Sequence, residues 1–533
     1  METNIIGRGT WLDKVAYGII EREKKLGRDL SIVRVESGLG ASGIPHIGSL
    51  GDAVRAYGVK LALENLGYRS ELIAYSDDMD GLRKVPYGLP SWLNDHIAKP
   101  VSFIPDPFDC HESYGLHMSS MLLDALDKLN IKYKFQRGIN TYKEGLLINE
   151  IDTILKNSNI IGAKIEELTL QDKFKHVLPY FPLCENCNRI YVAEAYEYIE
   201  SEKKVKYKCK GGTIGNKLIN GCGYEGEADI TKAEGKLSWK VEFASRWRRF
   251  DIRFEAYGKD IADSVKVNDW VSDNILKFAH PSHIKYEMFL DKTGKKISKS
   301  AGNVFTPQLW LKYGNEKSLL LLLYKRVVGT RNISIDDIPK LMDEYDRLED
   351  LYFGKIKEDN EAKAIKLKGL YEYVNHLNVS NKPSVHIPYM LLVNLASMSN
   401  NNIDIIIKRL QKYGMIKEVN EDIMNKIKLA INWVSEFGLE RAKKVITIKE
   451  NEQKALREFK DMLSSIKELD PKEIQSNIFT IARSNNIDVS NFFKLLYNIL
   501  LNSDKGPRLG NYIADLGNDG IKEIINTINK YIS

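Results

Sequence analysis

Ser31-Ile-Val-Arg-Val-Glu-Ser-Gly-Leu-Gly-Ala-Ser-Gly-Ile-Pro-His-Ile-Gly-Ser49 is the stretch on which the fold turns. Ser31 to Ser37 alternates apolar and polar residues as a half-buried strand does, and a glycine-rich loop begins at Gly38. Ile47, Leu50, Val54, Tyr57 and Leu61 then recur at steps of three and four until Gly67, which predicts an amphipathic helix with Pro45 in its first turn. A second strand, Glu71-Leu-Ile-Ala-Tyr75, runs into Asp77, Asp78 and Asp80. Strand, helix, strand in this order predicts a right-handed crossover and a parallel α/β sheet, with ligands beyond the carboxyl ends of the strands. The glycine loop and the acidic cluster both fall there.

At 533 residues the chain has room for three or four domains with buried cores, which excludes a disulfide-stapled miniprotein. Hydrophobic residues at 43% and charged residues at 28% fit a soluble globular protein. The apolar run Leu319 to Leu323 is far too short to span a bilayer, so no membrane partner is expected. The start, Met1-Glu-Thr-Asn-Ile-Ile-Gly-Arg8, lacks the basic and apolar segments of a signal peptide, and the expected compartment is the cytoplasm. A net charge of +6 permits a nucleic-acid partner through local basic patches without requiring one.

Texture divides the chain into an α/β part over 1–177, a Cys/Gly-rich insertion over 178–232, a second α/β part over 233–335 and an all-helical region over 336–533. In the last, Leu341, Tyr345, Leu348 and Tyr352, and again Ile521, Ile524, Ile525, Ile528 and Ile532, keep helical spacing. The insertion holds Cys184-x2-Cys187 and Cys209-x12-Cys222, four thiolates that suit tetrahedral zinc in a zinc-ribbon-like module. Its second pair is wider than a ribbon usually has, which leaves open a vestigial ribbon of free thiols. Cys110 reads as a small buried residue, with His111 and His117 beside it as packing rather than ligands.

Gly38-Leu-Gly-Ala-Ser-Gly43 formally matches the dinucleotide fingerprint, yet Ile44-Pro45 follows where the helix should already have opened, and the nearest strand-end acid is Asp77. A plain tight turn fits the hexapeptide equally well. His46-Ile-Gly-Ser49 opens the helix, where free amides and the dipole favour an anion and an imidazole can donate to phosphate. Far downstream, Lys295-Lys-Ile-Ser-Lys-Ser-Ala-Gly-Asn303 spaces lysines to reach a polyphosphate, or makes a solvated basic turn.

Together, HIGS and KISKS in this order resemble the paired HIGH and KMSKS signatures of class I aminoacyl-tRNA synthetases. Five further segments are similar to the class I lysyl-tRNA synthetases of the archaeal type: Ser76-Asp-Asp-Met-Asp-Gly-Leu-Arg-Lys-Val-Pro86, Cys110-His-Glu-Ser-Tyr114, Lys236-Leu-Ser-Trp239, Gly258-Lys-Asp260 and Gly506-Pro-Arg-Leu-Gly510. The resemblance spans nearly the whole chain. Two positions depart from it: Ser49 stands where the family usually has Asn or His, and Ile261 where it usually has His.

The resemblance implies a Rossmann-type catalytic domain with insertions and a helical anticodon-binding domain, and activation of lysine by ATP with transfer to the terminal 2'-hydroxyl of tRNA(Lys). It assigns catalytic roles to His46, Ser49, Lys296 and Lys299, with Mg²⁺ assisting at the phosphates. ATP would be held by Ser42, Gly43, His46, Gly48, Asp260 and Lys299, and lysine by Gly38, Gly40, Asp78, Trp239 and Tyr286. Trp239 and Tyr286 could equally be core packing, and the Asp77, Asp78, Asp80 cluster could instead bind Mg²⁺ or pair with Arg83 and Lys84. Arg246, Arg248, Arg249 and Arg253 are candidates to follow tRNA phosphates, or form a solvated helix face. Arg508 is expected to be structural, in a turn set by Gly and Pro. The competing expectations are a class I ligase for another amino acid, a dinucleotide oxidoreductase and a non-catalytic tRNA-binding paralogue. Oligomeric state is left open.

Overall fold

The alternation at Ser31 to Ser37 becomes strand β1 (Val33–Leu39) in the computed structural model, which describes residues 5–287, 289–291, 293–294, 305–438, 446–466, 469–501, 503–504 and 506–532. Strand β2 (Ser70–Ser76) lies parallel to β1 from Val33 opposite Ser70 to Leu39 opposite Ser76. Strand β3 (Lys134–Arg137) continues on that side. On the other side of β1 lies β4 (Ile252–Gly258), followed by β5 (Ser282–Tyr286). The sheet order β5-β4-β1-β2-β3 is parallel throughout. It reverses direction between β1 and β4, and that reversal opens a crevice at the carboxyl ends of these two strands.

Helix α1 (Ile47–Asn65) connects β1 to β2, and its apolar positions, among them Leu50, Val54 and Leu61, are buried. It begins two residues after Pro45, which lies outside, and His46 is the N-cap. Helix α2 (Trp239–Phe250) leads into β4 through Asp251, which takes the left-handed conformation at φ 56.

Between β3 and α2 the chain makes a module of short strands. Ala193–Ile199, Lys204–Cys209 and Glu225–Asp229 form an antiparallel sheet, and Gly211–Ile214 pairs with Lys217–Asn220 as a separate hairpin. Gly235–Leu237 returns antiparallel to Tyr180–Pro182 and closes the insertion at its root. Sheet and insertion belong to one unit, comprising Met1–Leu309, Leu320–Ser334 and Glu358–Val379. The helix Glu361–Val374, which lies within the helical C-terminal region of the sequence, is therefore part of the unit that carries the sheet.

The second unit takes Trp310–Leu319, Ile335–Lys357 and Ser380–Ser533. Its described elements are helices, including Asp337–Tyr352, Tyr389–Met398, Glu421–Phe437, Pro471–Ser484 and Leu509–Ile532. Trp433 is fully buried at its centre, with Tyr313 and Tyr389 edge-on at ring-centroid distances of 6.0 and 6.1 Å. Among the described residues no helix is long and apolar enough to cross a membrane.

Gly506-Pro-Arg-Leu-Gly510 is a packing joint in this unit. A Cβ on Gly510 would sit 2.0 Å from the Pro471 carbonyl oxygen, and the Gly510 amide donates to Gln475 Oε1 at 2.8 Å. Tyr497 donates to the Pro507 carbonyl at 2.8 Å, while Arg508 is exposed. Gly510→Ala forces the two helices apart, and overpacking of this kind costs about 1–3 kcal/mol. Its thermal melting temperature is expected to fall by several degrees, and a melting curve superimposable on the wild type would show that this approach is not tight.

Candidate active site

The crevice between β1 and β4 is a cavity of about 260 Å³. Gly38 and Gly40 from the end of β1 line it, as do His46, Gly48, Ser49 and Asp52 from the first turns of α1. Asp77 enters from the loop after β2, and Trp239, Phe243 and Arg246 come from one face of α2. Glu255 to Gly258, Asp260, Ile261 and Tyr286 complete the wall. The sequence candidates Gly38, Gly40, His46, Gly48, Ser49, Trp239, Asp260 and Tyr286 are thus brought together across more than 240 positions of chain. Ser42 and Gly43 do not line the cavity, and the Ser42 carbonyl accepts from the Tyr114 hydroxyl at 3.1 Å. Lys296 and Lys299 lie outside the described residues.

His46 is fixed by its own helix. Its Nδ1 accepts from the Ser49 amide at 3.2 Å, and because an amide can only donate, the neutral imidazole carries its proton on Nε2. The ring folds back over Gly48, where a Cβ would lie 2.7 Å from His46 Cε1, so the third residue of HIGS has no room for a side chain. At Gly38, by contrast, a Cβ would meet only Asp77 Oδ2, at an ordinary 3.5 Å. That glycine keeps volume free in the cavity.

The three aspartates after β2 take three different bases, and neither Arg83 nor Lys84 is among their ion-pair partners. Asp77 Oδ1 meets Arg246 Nη1 at 2.7 Å. Asp78 is fully buried, outside the cavity lining, and accepts from Arg137 Nε at 2.9 Å and the Ile139 amide at 2.8 Å. It serves as a joint between β2 and β3, which corrects its expected place against the substrate. Asp80 accepts from Lys236 Nζ at 2.5 Å and from Trp239 Nε1 at 3.1 Å, while Lys236 also reaches Glu242 at 2.7 Å. Arg83 instead lies over the rings of Tyr191 and Trp239, 5.4 and 5.5 Å from their centroids. Each of the three carboxylates thus has a side-chain cation as partner.

Two expected tRNA contacts are also internal. Arg246 is 1% exposed and is held by Glu36 at 2.8 Å as well as Asp77; Arg253 is 4% exposed and pairs with Glu23 and Asp251. Only Arg248 and Arg249 present themselves to solvent. Tyr286 donates its hydroxyl to Asp52, and Arg55 stacks on its ring at 4.2 Å. Burial holds the Asp52 carboxyl well above the usual carboxylate range. The hydroxyl of Tyr286, a residue that lines the cavity, is thus already committed to Asp52.

The four cysteine sulfurs of the insertion all lie within 4.8 Å of one another, with Cys184 to Cys222 at 3.6 Å and Cys187 to Cys209 at 3.9 Å. Four thiolates about 2.3 Å from a tetrahedral zinc stand about 3.8 Å apart, so the set fits that ion. The wide Cys209-x12-Cys222 spacing has a simple cause: the hairpin Gly211–Asn220 fills it, and its two legs pinch together beside the sulfurs. A Cβ on Gly211 would lie 2.5 Å from the Gly221 nitrogen, and one on Gly221 would lie 2.3 Å from the Cys209 oxygen. Glycine at both positions lets the neck close, and the ligands then approach as in a close pair.

A second set appears where packing was expected. Cys110 is exposed rather than buried, and its sulfur lies 3.4 Å from Asp106 Oδ2, 3.1 Å from His111 Nδ1 and 3.3 Å from His117 Nδ1. Burial opposes ionisation of Asp106, but the amides of Phe108, Cys110 and His111 hold its carboxyl down to about 2. An always-ionised carboxylate, a thiol and two imidazoles at tetrahedral-edge separations also suit zinc. The sequence signal was present in Asp106-x3-Cys-His-x5-His117, but the single thiol concealed it.

The sequence matches the family described as "tRNA synthetases class I (K)" over residues 9–377. A protein of Cenarchaeum symbiosum named lysine--tRNA ligase is 51% identical over 527 residues, covering 98% of this chain and 99% of the relative. One of the same name from Rickettsia felis is 31% identical over 539 residues, covering 97% and 98%. A likeness that runs the full length of both chains, over a cavity built from the HIGS turn and the strand ends, makes this protein a member of the class I (K) tRNA synthetases.

Proposed function

We propose that the protein activates lysine with ATP and transfers it to the terminal 2'-hydroxyl of tRNA(Lys). The observation that carries this reading is the convergence of His46 of the class I signature, Trp239 and Asp260 of the lysine-type segments, and Gly38 and Tyr286 on one cavity at the sheet's reversal point. In the first step a lysine carboxylate oxygen attacks the α-phosphorus of ATP. The new C–O–P bond forms as the bond to the bridging oxygen breaks and pyrophosphate leaves with that electron pair. The nucleophile is already ionised at neutral pH, so the site has to align and stabilise rather than remove a proton.

His46 presents Nε2–H at the start of α1, whose dipole favours phosphate oxygens there, although the Ile47 amide donates to the Phe305 carbonyl and the Ser49 amide to His46 itself. Lys296 and Lys299 would approach the β and γ phosphates from the opposite side, and Mg²⁺, when bound with ATP, supplies further charge neutralisation. Asp260 is the acceptor for the ribose hydroxyls, and the Gly38 to Gly40 backbone leaves space for the substrate's own backbone. In the second step the tRNA hydroxyl attacks the aminoacyl carbon and AMP departs. The two clusters of four ligands would hold zinc structurally, one pinning the insertion and the other the loop before the helix Tyr114–Lys128.

Lysine-dependent ATP–pyrophosphate exchange tests the reaction directly: a strong signal with lysine is expected, and a larger one with any other standard amino acid would replace lysine as the substrate. Lys299→Ala is expected to slow exchange by at least about a hundredfold, the scale of one lost preorganised charge donor, with melting unchanged. His46→Ala should act in the same direction but less, since the dipole of α1 remains. Near-normal exchange in a soluble Lys299→Ala protein would remove that loop from the mechanism.

Protein purified without chelator should contain about two zinc ions per chain. Cys187→Ser should lose one, and Cys110→Ser the other. A well-folded, active preparation without zinc would leave both clusters as packing.

Ile261 lines the cavity where a histidine would offer a polar contact. Ile261→His is expected to tighten lysine binding by about 1 kcal/mol if one hydrogen bond is regained, without creating a preference for another amino acid. Unchanged lysine affinity would mean that position 261 does not reach the substrate.

A further inference from the structure

Arg246 stands at the deep end of the cavity with too many acids around it. Its Nη1 meets Asp77 at 2.7 Å, while Nη2 meets Glu36 at 2.8 Å and Glu255 at 3.7 Å. Glu255 is held from behind by Trp247 Nε1 at 2.5 Å, and Tyr75 lies beneath the guanidinium at 4.3 Å. The adjoining Lys236 is shared by Asp80 and Glu242. Among the described residues at ion-pair distance, five carboxylates therefore share two cations in a region withdrawn from water, where unbalanced charge is costly. Burial, opposed by Arg246 and reinforced by neighbouring carboxylates, pushes Glu36 up to about 8 and Asp77 up to about 7. The cluster meets its deficit by holding protons near neutrality, and an additional cation would replace them.

The approach to this cluster has a defined shape. Trp239, Phe243 and Arg246 occupy positions i, i+4 and i+7 of α2, so two aromatic rings 5.7 Å apart lead along one helix face to the guanidinium. An apolar track that ends at an excess of carboxylates matches a straight methylene chain tipped by an ammonium. It does not match an α-ammonium, which has no such stem.

We propose that Glu255, with Asp77 on the other terminal nitrogen of Arg246, receives the side-chain ammonium of the amino-acid substrate. Arg246 is a positioning residue: it holds the two carboxylates in place while leaving them short of positive charge. The proposal rests on the reading of the protein as a lysine ligase, and adds to it a specificity residue, Glu255, that the sequence did not single out.

The test compares lysine with norleucine, which has the same straight carbon chain without the terminal ammonium, in pyrophosphate exchange. Glu255→Gln is expected to raise the KM for lysine by about tenfold or more, the scale of a lost hydrogen bond to a charged group. The KM for ATP should stay unchanged and the preference for lysine over norleucine should shrink. Asp77→Asn should act in the same direction, and melting curves establish that each variant is folded. A measurement on the wild type needs no variant: calorimetry near pH 7 in buffers of different ionisation enthalpy should show proton release when lysine binds, and none with norleucine. Retention of the lysine KM and preference in Glu255→Gln, equal losses for both amino acids, or lysine binding without proton release would each overturn the assignment. Absence of lysine-dependent exchange in the wild type is a different failure, that of the underlying reaction.

Discussion

A buried guanidinium has to be surrounded by acids, and here the acids come from three separate elements. Glu36 lies on β1, Asp77 just past β2 and Glu255 on β4, and Arg246 of α2 touches all three. Because breaking a buried pair leaves an uncompensated charge, these contacts fix where α2 lies across the strand ends. The aromatic residues preceding Arg246 on the same helix face are placed by that docking. So is one side of the cavity.

The opposite side is placed by glycine and histidine. The chain leaves β1 through Gly38 and Gly40, turns, and caps α1 with the His46 ring, which occupies the space a Gly48 side chain would need. The helix N-terminus and the His46 ring then line a crevice whose position follows from the reversal of strand order. One wall is thus set by local backbone geometry and the other by tertiary electrostatics, and the substrates meet between them.

The two walls differed in how far the sequence revealed them. The strand–glycine–helix stretch could be read because its information is local: alternation, helical spacing and turn residues lie within 40 positions. Arg246 could not, because a basic residue on an amphipathic helix has the same spacing whether it faces solvent or three carboxylates. Asp78 was misplaced for a related reason. Three aspartates in four positions look interchangeable in sequence, yet the bend after β2 sends Asp77 into the cavity and Asp78 toward β3. The Asp106, Cys110, His111 and His117 set was hidden by its mixed chemistry, since it joins one carboxylate and one thiol to two imidazoles rather than repeating a cysteine pair. The C-terminal helices were evident from their periodicity, but periodicity carries no information on the unit a helix joins, and Glu361–Val374 joins the sheet unit.

The hairpin inserted between Cys209 and Cys222 has a geometric consequence of its own. Its neck is closed by Gly211 and Gly221, so the separation of the two sulfur-bearing residues is decided at the neck and not by what lies beyond it. An antiparallel ladder can gain or lose paired residues at its tip while its base stays the same width. The tip can therefore change length, sequence or binding partner as a freely variable appendage, and the ligand cage at its root will not register the difference.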